Sequence, residues 1–373
     1  MGLAFFHKEP EFDFTGHRRW GFAISAFFIL LAIVSVLFIG IRYGVDFAGG
    51  AAVQLQFEKP IGDETIKTAF ARLNLPGLAV QQYGESGRDY LVRFSSSQSL
   101  ATEDIRTSVT GALKAIEGNP ASIQRLETVG PKVGADLRNA ALEAIFYAVL
   151  LITVYISGRF EQRWMTAALM ACVLGAVMYL MGYLGLSMPL RVMACLVATL
   201  IVCGWLKLNF ALSAIVGLIH DVVVTVGLLT LMGKEFDLNI IAALLTLVGY
   251  SLNDTIVTFD RLRENLRLQN PKSLQPLGAI INKSINQTLM RTVMTSLTTF
   301  AACVSLFVLG GGVIHDFALT MLIGVIAGTF SSIFICSPLL MHLGTTEHYV
   351  ARSRVSATKY ERPGEHGVVE PKQ

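Results

Sequence analysis

Residues 209–232 read NFALSAIVGLIHDVVVTVGLLTLM, an unbroken apolar run with His220 and Asp221 at its middle. A bilayer span needs roughly 20 such residues. An ionisable side chain near the bilayer centre costs roughly 2.5–3.5 kcal/mol on insertion scales. The stretch therefore predicts a membrane helix that carries polar groups for a reason. Composition agrees: of 373 residues, 53% are hydrophobic and only 15% charged, against about 25% charged in a typical soluble protein. Mean hydropathy is +0.56. So few charges cannot cover a soluble globule, and so apolar a chain is not disordered. A net charge of +3 is too near balance to point to a nucleic-acid partner. Cys172, Cys195, Cys203, Cys303 and Cys336 lie in apolar stretches without metal-ligand spacing and read as packing residues.

Outward from 209–232, further runs lie at 21–41, 139–157, 165–186, 190–206, 238–259, 289–313 and 316–341, making about eight spans. The first follows His17-Arg18-Arg19, exceeds the roughly 7–15 apolar residues of a signal peptide and lacks a small-x-small cleavage site. It reads as a retained anchor with its amino end in the cytoplasm, and an even number of spans puts both termini there. Arg159, Arg163, Lys207, Arg261, Arg263, Arg267, Lys272 and Lys283 then fall in inner loops, and Arg352, Arg354, Lys359 and Arg362 in the tail. The outer loops hold only Arg191 and Lys234, as the positive-inside rule requires. The run at 190–206 is short and preceded by Pro189. With 165–186 it reads either as a full helix pair or as a re-entrant hairpin of the same parity.

One block breaks the pattern. Over 43–138 charges, Gly and Ser return and the apolar periods shorten. Strands are expected at 51–57, 79–83, 89–94 and 122–129, with a turn at 84–87, and helices at 63–73 (capped by Asp63) and 102–116. The order β-α-β-β-α-β is the split ferredoxin-like pattern. The expected fold is thus an α-helical polytopic membrane protein with one extracytoplasmic α+β ferredoxin-like domain. Its parts are an inner segment 1–20, a first span 21–42, the outer domain 43–138, and a second span with inner loop 139–163. An apolar helix pair 164–207, a four-helix core 208–343 with an inner loop 260–288, and a tail 344–373 follow.

Intramembrane polar groups are few. Asp221 reads either as a structural acid bonding a neighbouring helix or as functional. Asp254, after Asn253, is a lone carboxylate in an apolar run and reads as functional, with the Asn253 amide placed to bond it. Arg291 opens a later span and is followed by Thr292, Thr295, Ser296 and Thr299 on one helical face. Asp316 reads as a helix amino-end charge, and Asp260-Arg261 as a solvated boundary pair. A buried carboxyl whose guanidinium neighbour approaches and withdraws binds and releases a proton in each cycle. Such a cycle can draw about 2.3 kcal/mol per charge per 100 mV from the membrane potential. Gly324 and Gly328 form a small-xxx-small seam. No phosphate loop, G-x-S-x-G elbow or H-E-x-x-H appears, so no enzyme activity, cofactor or metal is expected.

Several motifs carry a resemblance. These are Gly44-Val45-Asp46-Phe47-Ala48-Gly49-Gly50, Val129-Gly130-Pro131-Lys132-Val133-Gly134, and the stretch from Tyr155 to Glu161. Ile219-His220-Asp221-Val222, the run from Gly249 through Asn253-Asp254 to Arg261, and Asn286-Gln287-Thr288-Leu289-Met290-Arg291-Thr292 complete the set. Together the chain resembles the SecF family of protein-export membrane subunits, within the resistance-nodulation-division superfamily, over about residues 15–345. The resemblance implies a partner, SecD, and assembly with the SecYEG translocon together with SecA and YajC. It implies an unfolded preprotein as cargo on the outer side, and proton-motive force as the energy source in the bacterial inner membrane. It assigns the proton path to Asp254 and Arg291. The family is described with six spans, so 164–207 reads as an inserted apolar pair, able to serve as a lipid anchor. Two other functions stand beside this one: a small-molecule exporter of the same superfamily, and a non-conducting structural partner of SecD.

Overall fold

The structure is a computed structural model and describes residues 11–73, 75, 77–82, 86–94, 102–114, 116, 118–269 and 275–344. Lys272, the basic tail residues, Tyr83 and the first half of the 84–87 turn lie outside the described residues. Helix α1 (Arg18–Phe38) leads through β1 (Arg42–Tyr43) and a single helical turn, α2 (Val45–Ala48), into the outer domain. That domain comprises β2 (Gly50–Phe57), α3 (Asp63–Ala71), β3 (Ala79–Gln82), β4 (Asp89–Phe94), α4 (Thr102–Lys114) and β5 (Ala121–Val129). The chain then enters the membrane part through α5 (Pro131–Glu161), α6 (Trp164–Tyr183), α7 (Met188–Trp205) and α8 (Asn209–Leu231). Strand β6 (Glu235–Phe236) precedes α9 (Leu238–Arg267), α10 (Leu277–Leu309) and α11 (Gly312–Ser331), and the last span runs on through a π-helical turn (Ser332–Cys336) into α12 (Ser337–His342). Among the described residues eight helical segments are long and apolar enough to cross a membrane, counting α11 to α12 as one. The chain is a multi-pass membrane protein.

The outer sheet has the order β3-β4-β2-β5, antiparallel throughout. This is the ferredoxin-like arrangement, in which the first strand lies between the third and the fourth. Alternation along β2 sends Ala51, Val53, Leu55 and Phe57 inward, beside Tyr90, Val92 and Phe94 of β4. Ile66 and Phe70 of α3 and Ile105 and Val109 of α4 close this core. Asp63 is the first helical residue of α3; Gly62 is the N-cap, and no side chain bonds there. Its charge still favours the helix amino end.

Two glycine motifs lock together where domain meets membrane. Gly49 has φ +79°, and a Cβ there would lie 2.7 Å from the Pro131 Cα. A Cβ on Gly134 would lie 3.0 Å from both the Gly49 nitrogen and the Phe47 oxygen. Pro131 opens α5 with its φ pre-set and no N–H to waste, after the extended Gly130. Beside this lock β1 pairs parallel with β6, the Gly44 N–H donates to the Phe236 oxygen at 2.8 Å, and Asp46 accepts from the Leu238 N–H at 3.0 Å. Asp237 caps α9 by accepting from the Ile240 N–H at 2.9 Å. Arg93 of the sheet pairs with Glu235 at 3.0 Å.

In the membrane part α1 buries small residues, Gly21, Ser25, Ala32 and Ser35, and turns Phe27, Leu30, Leu37 and Phe38 outward. Ala32 packs against Gly227 of α8 so closely that a Cβ on the glycine would overlap it. The α6–α7 pair is a full helical hairpin, each helix about 27–30 Å long at 1.5 Å per residue. It is fastened at its base: Arg163 donates to the Leu206 oxygen at 2.7 Å, and Glu161 accepts from the Phe210 N–H at 2.9 Å. The pair therefore leaves and rejoins the bundle at one point, with Met165, Leu169, Tyr179, Tyr183 and Trp205 exposed at its periphery.

The inner loop expected over 260–288 is mostly helix. Leu262 and Leu266 on α9 and Ile280, Ile281 and Ile285 on α10 recur at helical spacing and are buried in one core, so both helices extend inward past the apolar runs. A strap lies along this extension. Asn282 accepts from the Phe14 N–H at 2.8 Å, Asn286 accepts from the Phe12 N–H at 3.0 Å, and both amides donate to the Phe12 oxygen at 2.8 Å.

Gly49→Ala forces an L side chain into positive φ and into the α5 backbone, costing about 1–3 kcal/mol. It should make the outer domain of the membrane-inserted protein more protease-sensitive, whereas Gly62→Ala, with open space around its Cβ position, should not. Burial pushes the Asp237 carboxyl above the usual carboxylate range against the Ile240 N–H and the Arg93 charge. The folded state therefore holds this proton more tightly than the unfolded chain, a cost that is full above the raised value, shrinks as pH falls below it and is gone below the ordinary carboxylate range. Asp237→Asn keeps the cap and should leave the thermal midpoint unchanged or higher. Asp237→Ala should lose about 0.5–2 kcal/mol.

Candidate functional site

Helix α9 carries an acidic residue into the bundle. Asp254 is 3% exposed, and its carboxylate is held by hydroxyls rather than by a cation. Thr295 donates to Oδ1 and Ser296 to Oδ2, each at 3.3 Å. Both donors lie on α10, adjacent in sequence, where the helix passes α9. Ser296 is also 2.7 Å from the Thr329 hydroxyl on α11, and the Tyr250 hydroxyl reaches it at 3.5 Å. One turn inward, Thr258 lies 3.4 Å from Thr288, continuing a seam of hydroxyls between α9 and α10. Two carboxylate oxygens, each with one long hydrogen bond, leave acceptor capacity free for an ion.

The expected partners of Asp254 are distributed differently from the linear reading. Asn253 is exposed and, among the described residues, makes no hydrogen bond to Asp254. Successive residues on a helix project about 100° apart, so an adjacent amide faces away from its neighbour. Arg291 is exposed and forms no ion pair with Asp254 among the described residues. Thr295 is where the helical spacing placed it, whereas Thr292 is buried at 2% exposure. The spacing of Gly324 and Gly328 is used where α11 meets α9: Leu247 packs over Gly324, and a Cβ on Gly328 would lie 3.1 Å from Ser251.

Asp221 is the more deeply buried acid, 1% exposed, and belongs to a different cluster. Ser251 of α9 donates to Oδ2 at 2.5 Å, Ser331 of α11 donates to the same oxygen at 2.9 Å, and His220 Nδ1 lies 2.9 Å from Oδ1. It therefore joins three helices. At the outer end Lys234 binds Asp316 at 2.7 Å, so Asp316 is an ion-pair partner as well as a charge near the start of α11. At the inner end the expected boundary pair Asp260-Arg261 is split: Asp260 pairs with Arg159 at 2.8 Å and Arg261 with Glu264 at 2.6 Å.

Thr329, Ser331 and Ser332 were not singled out from the sequence. Their signal was present: Thr329, Ser331 and Ser332 flank Phe330 within an otherwise apolar span. Ser332 reaches the Thr255 hydroxyl at 2.8 Å, and Ser337 donates to the Ser332 oxygen at 3.0 Å across the π-helical turn.

The motifs quoted above fall within two family matches. The family described as protein export membrane protein SecD/SecF, C-terminal, matches residues 108–206 and 187–346. The SecD/SecF GG motif matches 34–61, which includes Gly49 and Gly50. The first match comes in two pieces that overlap over 187–206, the length of α7. Protein translocase subunit SecF of Magnetococcus marinus is 40% identical over 342 residues, covering 91% of this chain and 94% of its own. That of Desulfurispirillum indicum is 37% identical over 344 residues, covering 92% and 93%. That of Escherichia coli O157:H7 is 32% identical over 358 residues, covering 96% and 95%. Among solved structures, SecDF from Thermus thermophilus, titled a translocon-associated membrane protein, superposes with a TM-score of 0.69 at 31% identity. It covers 92% of this chain, which spans 40% of the SecDF chain. A glycine lock at the neck of a ferredoxin-like outer domain, a hydroxyl-held acid in the bundle and relatives matched over nearly their whole length agree, and the chain belongs to the SecF family of protein translocase subunits.

Proposed function

We propose that this chain is an accessory subunit of the Sec preprotein translocase that pairs with SecD. Together they use proton-motive force to drive late steps of export across the bacterial inner membrane. The observation that carries this reading is a polar strip on the outside of the bundle. Thr246, Gly249 and Asn253 on α9 and Arg291, Thr298 and Ser305 on α10 are exposed at helical spacing on neighbouring helices. Arg291 and Asn253 are too costly to leave in lipid, so a polar helical face must cover them. Asp254 lies directly behind this strip, within reach of a water-filled seam between two subunits. The partner is SecD, and its half of the ion path completes the site formed by Asp254, Thr295 and Arg291.

The transport cycle follows from the chemistry of the acid. With Arg291 turned outward, Asp254 is held only by Thr295 and Ser296 and has room for a proton. When the partner's face moves, Arg291 swings toward the carboxylate and displaces the proton to the other side. Asn253 lines the entry rather than touching the acid. The motifs at Gly44–Gly50 and Val129–Gly134 transmit the resulting tilt of α5 and α9 to the outer domain. That domain lies in the periplasm if both termini are cytoplasmic, as the charge asymmetry supports. Between its open sheet face (Gln54, Leu91, Arg93) and the outer ends of the spans (Asp237, Asn239, Ile314) lies a cavity of about 680 Å³. The domain is thus tethered at its neck with space beneath it, and its motion acts on an unfolded preprotein emerging from SecYEG, with SecA and YajC in the same assembly. The α6–α7 hairpin anchors the bundle in lipid.

Asp254→Asn, which keeps the shape and cannot ionise, should reduce export stimulation at full proton-motive force to the level seen without the subunit, with membrane insertion unchanged. Normal stimulation would refute the ion-coupled reading. Cysteines at Asn253 and Thr298 should cross-link to a SecD helix and resist lipid-soluble maleimide when SecD is present. Reaction at the same rate with and without SecD would mean that the strip faces lipid. Arg291→Gln should abolish stimulation without preventing the cross-links, which separates an ion-coupled subunit from a merely structural one.

A further inference from the structure

The cycle built on Asp254 leaves one buried polar cluster unused. His220 and Asp221 lie in the interior where α8 meets α9 and α11, 5% and 1% exposed. Ser251 donates to the carboxylate at 2.5 Å and Ser331 at 2.9 Å, and His220 Nδ1 lies 2.9 Å from its other oxygen, where it donates in the Nδ1–H tautomer. That is the complement an ionised carboxylate takes. The opposite ring nitrogen, Nε2, is buried and has no hydrogen-bond partner among the described residues. Among those residues Asp221 pairs with His220 and with no Lys or Arg.

Among the described residues, the elements packed against α8 bring no Lys or Arg within ion-pair distance of Asp221; α11 carries Asp316, paired with Lys234, and α12 carries His342, which lies beside Phe22 of α1. Helix α1 buries only Gly21, Ser25, Ala32 and Ser35. Helix α9 brings Asp254, turned to α10; the π-helical turn brings the Cys336 thiol; α7 brings the Cys195 and Cys203 thiols. Glu161 of α5 is engaged at the inner end with the start of α8. A neutral imidazole beside an ionised carboxylate would leave one uncompensated negative charge in the apolar interior, which is costly. One proton added to the free Nε2 lone pair turns imidazole into imidazolium and makes the pair neutral, with Asp221 still a carboxylate.

We propose that His220 and Asp221 form a second ion site, distinct from Asp254, that binds one proton at Nε2 of His220. Imidazole N–H directed at the carboxylate closes the site to a hard metal cation, which takes oxygen ligands, so the site is proton-specific. Its load is felt by the last span. Ser331, which bonds Asp221, immediately precedes the π-helical turn, and that turn is itself held by Thr255 through Ser332 and by Ser213 through the Cys336 oxygen. π-Helical turns within α-helices are frequent at functional sites. The proposal rests on the reading of the chain as an ion-coupled subunit, but its primary test does not need export.

The test is ¹⁵N magnetic resonance of histidine-labelled chain in complex with SecD in lipid bilayers, between about pH 8 and pH 5. His220 should pass from the neutral Nδ1–H tautomer to imidazolium as pH falls. The change should be insensitive to sodium, persist in the Asp254→Asn complex, and be lost or displaced in Asp221→Asn. A neutral His220 throughout, or an identical transition in Asp221→Asn, would overturn the proposal and leave the Asp254 reading standing. A functional arm uses His220→Gln, whose amide can still donate to Asp221 but cannot take a proton. Loss of the acid limb of the pH profile of export stimulation is expected, and an unchanged profile would show a purely structural histidine.

Discussion

A carboxylate taken out of water must be held by other groups, and in a bilayer those groups can come only from the protein. Asp221 and Asp254 impose this constraint on the bundle. Each draws its donors from helices distant in sequence: Ser251 and Ser331 for Asp221, Thr295 and Ser296 for Asp254. The donors are hydroxyls, which compensate the acid without neutralising it. The helices α8, α9, α10 and α11 are therefore gathered around two buried acids. The small residues of α11, Gly324 and Gly328, let its backbone approach α9 closely enough for those short side chains to reach.

The same bundle is complete on one side and unfinished on the other. Helix α1 and the α6–α7 hairpin present large apolar side chains outward, as lipid contact requires. The exposed faces of α9 and α10 mix an arginine, an asparagine, threonines and a serine with apolar side chains such as Leu297 and Val308. The span window of α10 is only 11% buried within the chain, against 61% for α8. A span carrying that much uncovered polarity fits an intersubunit seam, in keeping with a chain that spans 40% of its solved relative.

The bundle and the outer domain are joined through a narrow neck. Gly49 against Pro131 and Phe47 against Gly134 are contacts of backbone on backbone, with no flexible side chain between them. Such a joint transmits rotation with little slack. The Arg93–Glu235 pair and the Asp46 and Asp237 hydrogen bonds tie the same neck to the start of α9, the helix that bears Asp254. The buried acid and the neck of the domain are therefore joined by one helix, α9.

Span positions, the ferredoxin-like order of the outer domain and the identity of both buried acids were legible in the linear chain, because hydropathy and strand alternation are local properties. Helical period also placed Thr295 on the face toward Asp254. Adjacency misled at Asn253, since 100° of helical rotation separates it from the acid beside it. Length of the apolar run misled at the inner ends of α9 and α10, which continue as amphipathic helices that bury leucine and isoleucine against each other. Only the tertiary structure decided that Asp221 and Asp254 occupy separate clusters, that Ser331 and the π-helical turn serve the first, and that Arg291 is exposed without an ion pair to Asp254. Those facts depend on how helices tens of residues apart cross, and no window along a single strand of sequence contains that angle.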